Sequence, residues 1–228
     1  MSLSVNTNNG AMLALRNLNA TNTALETTNL RITTGLKVNG PKDDASTYAI
    51  AQNMRGEIAG MRAVKTALAN GAAVVNVAIE GGKSIADLLV ELKAKTVQAN
   101  QAGLDAASRT ALTNDFFALR DQIDTTVATA EFNGINLLKN GASGTTVLST
   151  VDGSTIAVSA QNMSAIFLQF GQPYADLSSS SNASQTLSLI ESATISVSDS
   201  LAALGSVARR IEVQSEFTAK LTDIQRAG

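Results

Sequence analysis

Four groups of residues in this 228-residue chain have the types or spacing to do chemistry. Gly82-Lys83-Ser84 has the ending of a phosphate-cradling loop, in which backbone amides and a lysine surround phosphate oxygens. Such a loop also needs a glycine five residues before Gly82 and a strand leading into it. Val77 stands at the first place, and the approach has a helical pattern. Nucleotide binding is therefore not expected, and the triplet reads as a flexible point or a close-packing site in a long helix. Asp121 and Asp124 share a helix face, but they lack calcium-loop spacing and have Arg120 beside them. The Ser178-Ser179-Ser180-Ser181 tract reads as an exposed linker, with O-linked modification the sharper alternative. Asn-X-Ser/Thr triplets at Asn19, Asn162 and Asn182 are short enough to arise by chance.

The chain contains no Cys and no His. That removes thiol nucleophiles, disulfides, zinc sites of the usual ligand type and imidazole acid-base catalysis. No catalytic residue, cofactor or metal is expected, and the chain reads as a structural protein, not an enzyme. The net charge of −2 provides no basic field for nucleic acid or an anionic membrane. The N-terminus lacks the basic start and apolar run of a secretory signal. No stretch approaches the roughly 18 consecutive apolar residues of a membrane span. Hydrophobic residues make up 44% and aromatics only 4%, so the apolar content is Ala, Leu, Val and Ile, which suits slim helix-helix packing. Only two prolines interrupt the chain, which permits very long helices.

The elements follow from hydrophobic spacing. Leu15, Leu18, Asn22, Leu25, Asn29 and Ile32 alternate steps of three and four, the seam of a helix that packs along one stripe. Gly35 to Pro41 breaks that helix, and Asp43 and Asp44 suit the N-terminus of the next. A second helix is expected from about 45 to about 100, roughly 80 Å at 1.5 Å per residue. Its seam is Met54, Ile58, Met61, Lys65, Leu68, Ala72, Val75 and Ile79, resuming after an irregularity at Gly81-Gly82 with Ile85, Leu89 and Leu92. A third helix, about 105 to 131, carries Leu112, Phe116, Leu119, Ile123, Thr126 and Ala130. Turn signals follow at Asn133-Gly134, Asn140-Gly141 and Ser143-Gly144. Asp152-Gly153 between β-branched runs predicts a hairpin near 145–159. Residues 160–183 read as irregular, with a strand-sized apolar run at Ala165-Ile166-Phe167-Leu168. The last helix carries Leu187, Ile190, Thr194, Val197, Leu201, Leu204, Ala208, Ile211, Ser215 and Thr218, and is expected to return antiparallel to the second.

These residues together resemble the bacterial flagellins, subunits of the flagellar filament. Ala11-Met12-Leu13-Ala14-Leu15-Arg16-Asn17-Leu18, Thr34-Gly35-Leu36-Lys37-Val38-Asn39 and Lys42-Asp43-Asp44-Ala45, followed by Ala49-Ile50-Ala51, carry the likeness most specifically. Phe132-Asn133-Gly134-Ile135-Asn136-Leu137-Leu138 matches a second signature. The short middle is similar to the compact flagellins of alphaproteobacteria. The fold expected is mainly α: an elongated, rod-like bundle of long antiparallel coiled-coil-like helices with a small β-hairpin.

The resemblance implies a filament-core helix at 1–34, packing through Leu15, Leu18, Leu25 and Ile32. It implies a Gly/Pro spoke at 35–43, with Gly35, Leu36, Val38, Pro41, Asp43 and Asp44 in its axial contacts. A rod-like domain would span 44–223, with Ile58, Met61, Leu68, Val75, Phe116, Leu119, Ile123, Leu201, Leu204 and Ile211 in its core. A tail would occupy 224–228. The partners implied are further copies of the chain, the flagellar export apparatus and an export chaperone. The location implied is the extracellular flagellum, reached without a cleaved signal.

Two departures from the family pattern stand out. Flagellins continue past the Glu216-to-Asp223 region into another apolar helix, the partner of the N-terminal one, whereas this sequence ends at Gly228. Each leucine of the N-terminal stripe left in water would then forgo roughly 1.5–3 kcal/mol of burial. Residues 1–34 are accordingly expected to fray in the monomer, and the chain to polymerise poorly alone. Second, Lys93-Ala94-Lys95-Thr96 stands before Val97-Gln98, where flagellins recognised by the vertebrate innate receptor carry Arg-Glu-Leu. Recognition by that receptor is not expected. The runner-up readings are a hook-filament junction protein and a truncated, non-polymerising flagellin paralogue. A dimeric coiled-coil adaptor and a nucleotide-binding protein resting on Gly82-Lys83-Ser84 are more distant.

Overall fold

The computed structural model describes residues 8–170 and 175–227. The N-terminal reading at Met1 to Asn6 and the terminal Gly228 lie outside the described residues, as does part of the 160–183 segment. The chain divides into two units, one ending at Glu57 and one beginning at Ile58.

The first unit contains helix α1, Asn9–Thr34, the connection at 35–44 and the start of helix α2, Ala45–Ala99. The side chain of Asn8 caps α1, accepting from the amides of Gly10 and Ala11 at 3.1 Å each. Cap residues of this type satisfy amides that the first helical turn leaves without partners. Gly35 ends α1 with φ +69°, a left-handed conformation that suits glycine, and its amide donates to Arg31 O at 2.8 Å.

The second unit is built around α2, helix α3 (Ala106–Thr129) and helix α5 (Ser180–Ala227), with the one-and-a-half-turn helix α4 (Ser164–Gln169) between them. On α2 the buried positions are Met61, Val64, Leu68, Gly71, Val75, Ala78, Gly82, Ile85, Leu89, Leu92, Thr96 and Ala99, with Val74 beside them. The steps alternate three and four without a break, so Gly81-Gly82 is no irregularity: Gly82 occupies a seam position. The expected seam departs by one residue at Lys65, which is exposed while Val64 is buried, at Ala72, which is half-buried beside Gly71, and at Ile79, which is half-buried beside the buried Ala78. The same slip occurs on α5, where Thr186 and Ala193 are buried while Leu187 is half-buried and Thr194 is exposed.

Helices α2 and α5 run antiparallel. Met61 Sδ receives the Thr222 hydroxyl at 3.4 Å, Gly82 lies against Leu201, Lys93 Nζ is 3.2 Å from Glu191 Oε1, and Asn100 Oδ1 accepts from the Ser180 hydroxyl at 2.8 Å. Partners on α5 thus step backwards as α2 advances. Helix α3 is also antiparallel to α2: Arg109 Nη1 donates to Ala99 O at 2.6 Å, Lys95 pairs with Asp115 at 2.5 Å, and Gly81 faces Ala130.

Among the described residues there are two small antiparallel sheets. Strands β1 (Glu131–Phe132) and β2 (Ile135–Asn136) form a tight hairpin that the sequence showed only as turn signals. Its central residues, Asn133 and Gly134, have φ of +50° and +79°, the backbone that a two-residue hairpin with strand-matched twist requires. Strands β3 (Thr145–Leu148) and β4 (Thr155–Val158) pair in the expected place, Thr145 opposite Val158 and Leu148 opposite Thr155.

Two expectations are corrected. Residues 160–183 are not all irregular: Ser164–Gln169 forms α4, where Ile166 is buried. Ser180 and Ser181 are not linker but open α5. The reason for the second lies in Asp176, which accepts from the amide and hydroxyl of Ser178 at 3.1 and 2.8 Å and from Asn182 Nδ2 at 2.7 Å, holding the first turn in place. Partial burial pushes the Asp176 carboxyl up, and the hydrogen bonds from Asn182 and Ser178 outweigh it, so its pKa is lowered overall.

Candidate assembly surfaces

No residue of α1 is buried. Leu15, Leu18, Leu25 and Ile32 are 59, 56, 60 and 75% exposed, and Met12, Leu13 and Leu30 are exposed beside them. Asn22 and Asn29, on the same stripe, are exposed too. Apolar side chains therefore emerge on more than one side of the helix, which the seam alone did not show. Six threonine hydroxyls of α1, at 21, 23, 27, 28, 33 and 34, donate to the carbonyl four residues back at 2.7–2.9 Å. A neighbour packed over them would strand no donor, so their burial avoids the desolvation penalty of an unmade hydrogen bond.

The connection after α1 is held by short-range hydrogen bonds. Asp43 Oδ2 accepts from the Asn39 amide at 3.0 Å, and the Asp43 amide donates to Gly40 O at 3.1 Å. Asp44 caps α2, accepting from the amides of Ser46 and Thr47 at 3.0 Å each and from the Thr47 hydroxyl at 2.7 Å. The bonds from Thr47, its hydroxyl foremost, hold the Asp44 carboxyl below its ordinary pKa of 3.8. Leu36 is 39% exposed, Pro41 is exposed and Val38 is half-buried.

In the second unit Met61, Leu68, Val75, Phe116, Ile123, Leu204 and Ile211 are buried, whereas Ile58, Leu119 and Leu201 are only partly so. Sequence reasoning missed Leu137, Leu138 and Val127, which are at most 1% exposed. Asn136 explains the first two. Its Nδ2 donates to Val127 O at the end of α3 at 2.7 Å, and its Oδ1 accepts from the amides of Leu138 and Lys139 at 2.8 and 3.0 Å. That clasp turns the chain so that both leucines enter the core. Gly82-Lys83-Ser84 sits within α2: Gly82 is packed against Leu201 and Met163, and Lys83 pairs with Glu80 at 2.8 Å. Amides committed to a helical ladder do not converge on a phosphate, so the triplet is a close-packing site.

What the chain presents is thus a core of long helices together with, among the described residues, an α1 whose apolar side chains are exposed. That arrangement defines a structural, helix-packing protein. The sequence matches the family of the bacterial flagellin N-terminal helical region over residues 5–143. It is 36% identical over 226 residues to flagellin FljK of Caulobacter vibrioides, covering 99% of this chain and 82% of that one. It is 37% identical over 153 residues to flagellin A of Rhizobium meliloti, covering 67% of this chain and 38% of that one. Among solved structures, Bacillus cereus flagellin superposes with a TM-score of 0.60 at 20% identity, over 71% of this chain and 93% of its own. A protein described as flagellar hook-associated, from Vibrio parahaemolyticus, gives a TM-score of 0.66 at 14% identity, over 82% and 98%. Identities that low speak to the fold alone. The chain belongs to the bacterial flagellin family, whose members are the structural subunits of the extracellular flagellar filament and assemble with copies of themselves.

Proposed function

We propose that the chain works purely mechanically, without catalysis or cofactor, and that α1 is its main polymerising element. The observation that carries this reading is the exposure of every large apolar residue of α1. Soluble proteins rarely leave contiguous apolar surface on this scale unless something covers it. In this reading Leu15, Leu18, Leu25 and Ile32 pack in the filament core. Gly35, Leu36, Val38, Pro41, Asp43 and Asp44 form the axial contacts of the spoke, and 44–223 is the rod-like helical domain. The domains run 1–34, 35–43, 44–223 and 224–228. Export would proceed unfolded through the flagellar export apparatus with a chaperone, a route that suits a chain without cysteine.

Electron microscopy of concentrated protein, with and without filament seeds, tests this: growing filaments support it, and discrete dimers or monomers under both conditions overturn it. A junction role is the second reading. Junction proteins of the family usually carry large inserted middle domains, and the connection between α3 and α5 here holds only two short hairpins and α4. A junction protein would cap seeds instead of extending them.

A further inference from the structure

Among the described residues, one flank of the α2–α5 pair is covered by other elements of the second unit. Helix α3 and the β3–β4 hairpin follow one another along the same side of α2, meeting Gly81, Gly71 and Gly60. On the other flank a groove of about 570 Å³ runs between the two helices, floored by Leu68, Ala72, Ile211 and Ala219. Small residues in that floor let another backbone approach closely. Glu212 and Glu216 line its α5 side and Lys65 its α2 side, two carboxylates against one ammonium.

A different face of α5 carries the complementary feature. Arg210, Val213, Phe217, Lys220 and Ile224 recur at steps of three and four, so they form one ridge. All five are exposed, with Val213, Phe217 and Ile224 at 58, 58 and 68%. Phe217 and Ala219 are two residues apart, about 200° around the helix, so ridge and groove point away from each other. Lys220 lies 3.8 Å from Glu216 within the helix, but both are largely exposed, and such pairs contribute little.

We infer that the apolar, basic ridge Arg210–Ile224 of one copy docks in the acidic, apolar groove between α2 and α5 of the next. The occupant is a second copy because the ridge supplies what the groove asks for: a helical row of large apolar side chains interleaved with two cations. Since the two surfaces differ, the contact is head-to-tail and does not close on itself, which generates an open polymer. This interface rests on the self-assembly reading and adds to it a lateral contact within the second unit.

Charge reversal tests it on the full chain. Arg210→Glu with Lys220→Glu makes both surfaces acidic, and Glu212→Lys with Glu216→Lys makes both basic. Each double variant alone is expected to need a roughly tenfold or higher concentration to assemble, through like-charge juxtaposition. An equimolar mixture is expected to assemble near the wild-type threshold, because each surface then finds its opposite. Light scattering and electron microscopy read the outcome, and circular dichroism checks that all chains remain folded. Reversed variants that assemble like the wild type, or folded variants that their mixture fails to rescue, would overturn the interface while leaving the filament reading standing. A wild-type chain that assembles under no condition, seeded or not, would overturn both.

Discussion

Gly71 on α2 and Val147 on β3 touch so closely that a β-carbon on Gly71 would overlap both methyl groups of Val147 and lie 3.1 Å from its β-carbon. Val147 is 5% exposed and branches at that carbon, so it has no free rotamer to escape into. The hairpin therefore seats on α2 through the absence of one side chain.

Gly71→Ala is expected to destabilise the fold by about 1–3 kcal/mol, the usual cost of overpacking. Gly205 on α5 has open space where its β-carbon would be, so Gly205→Ala should stabilise by up to about 1 kcal/mol through helix propensity. Urea unfolding of the two variants checks the opposite signs. Equal effects of one sign would contradict the close approach.

Phe116 and Leu89 are fully buried, whereas Leu15 is 59% exposed. Truncating the first two to alanine should cost about 2–5 kcal/mol each. Leu15→Ala should leave monomer unfolding within about 0.5 kcal/mol of the wild type and yet weaken filament growth. A large loss of monomer stability on Leu15→Ala would mean that α1 packs within its own chain.

Helix α1 has caps at both ends but no buried residue. Most helical stability in proteins comes from tertiary packing, and isolated helices are marginal in water. Amides across residues 11–32 should exchange rapidly in dilute monomer and slowly once assembled. Strong protection in the dilute monomer would be the contrary result.

Asp44 has its pKa lowered in the folded chain, chiefly by the Thr47 hydroxyl. Its cap is thus fully formed above the ordinary carboxylate value of 3.8, and its contribution is lost as pH falls through the lowered folded value. Amide protection at residues 45–48, taken relative to the unfolded-chain exchange rate at the same pH, should fall at that acid end and in Asp44→Ala at neutral pH. No change in either case would remove Asp44 from the role of cap.

Lys93 and Lys95 do not sit idle where receptor-activating flagellins carry other residues: one pairs with Glu191 on α5 and the other with Asp115 on α3. A receptor reporter assay with purified protein is expected to show weak or no activation, and a potent response would refute it.

Much of this architecture was legible because its cause is local. Alternating apolar steps mark α2, α3 and α5; Asp44 and Gly35 mark helix ends; Asp152-Gly153 marks a hairpin. Periodicity alone, however, cannot separate neighbouring residues at the edge of a stripe. Leu187 outranks Thr186 in hydrophobicity, yet Thr186 is the buried one, because the seam's placement depends on where the partner helix lies. Leu137 and Leu138 point inward for a similar reason: their turn is set by Asn136 reaching back to Val127 O.

By itself the sequence determined that the chain is helical, long in its elements, without Cys or His, and rich in aliphatic stripes that need company. Hydrophobic period, turn residues and missing residue types are properties of the chain read a few positions at a time. Only the tertiary structure decided which stripes find that company inside the molecule. It buried the glycines at 71 and 82 in the α2 seam, left α1 bare, and gave α5 an exposed ridge and an open groove on opposite sides. Those outcomes depend on which distant segments meet, and no window of sequence contains both partners.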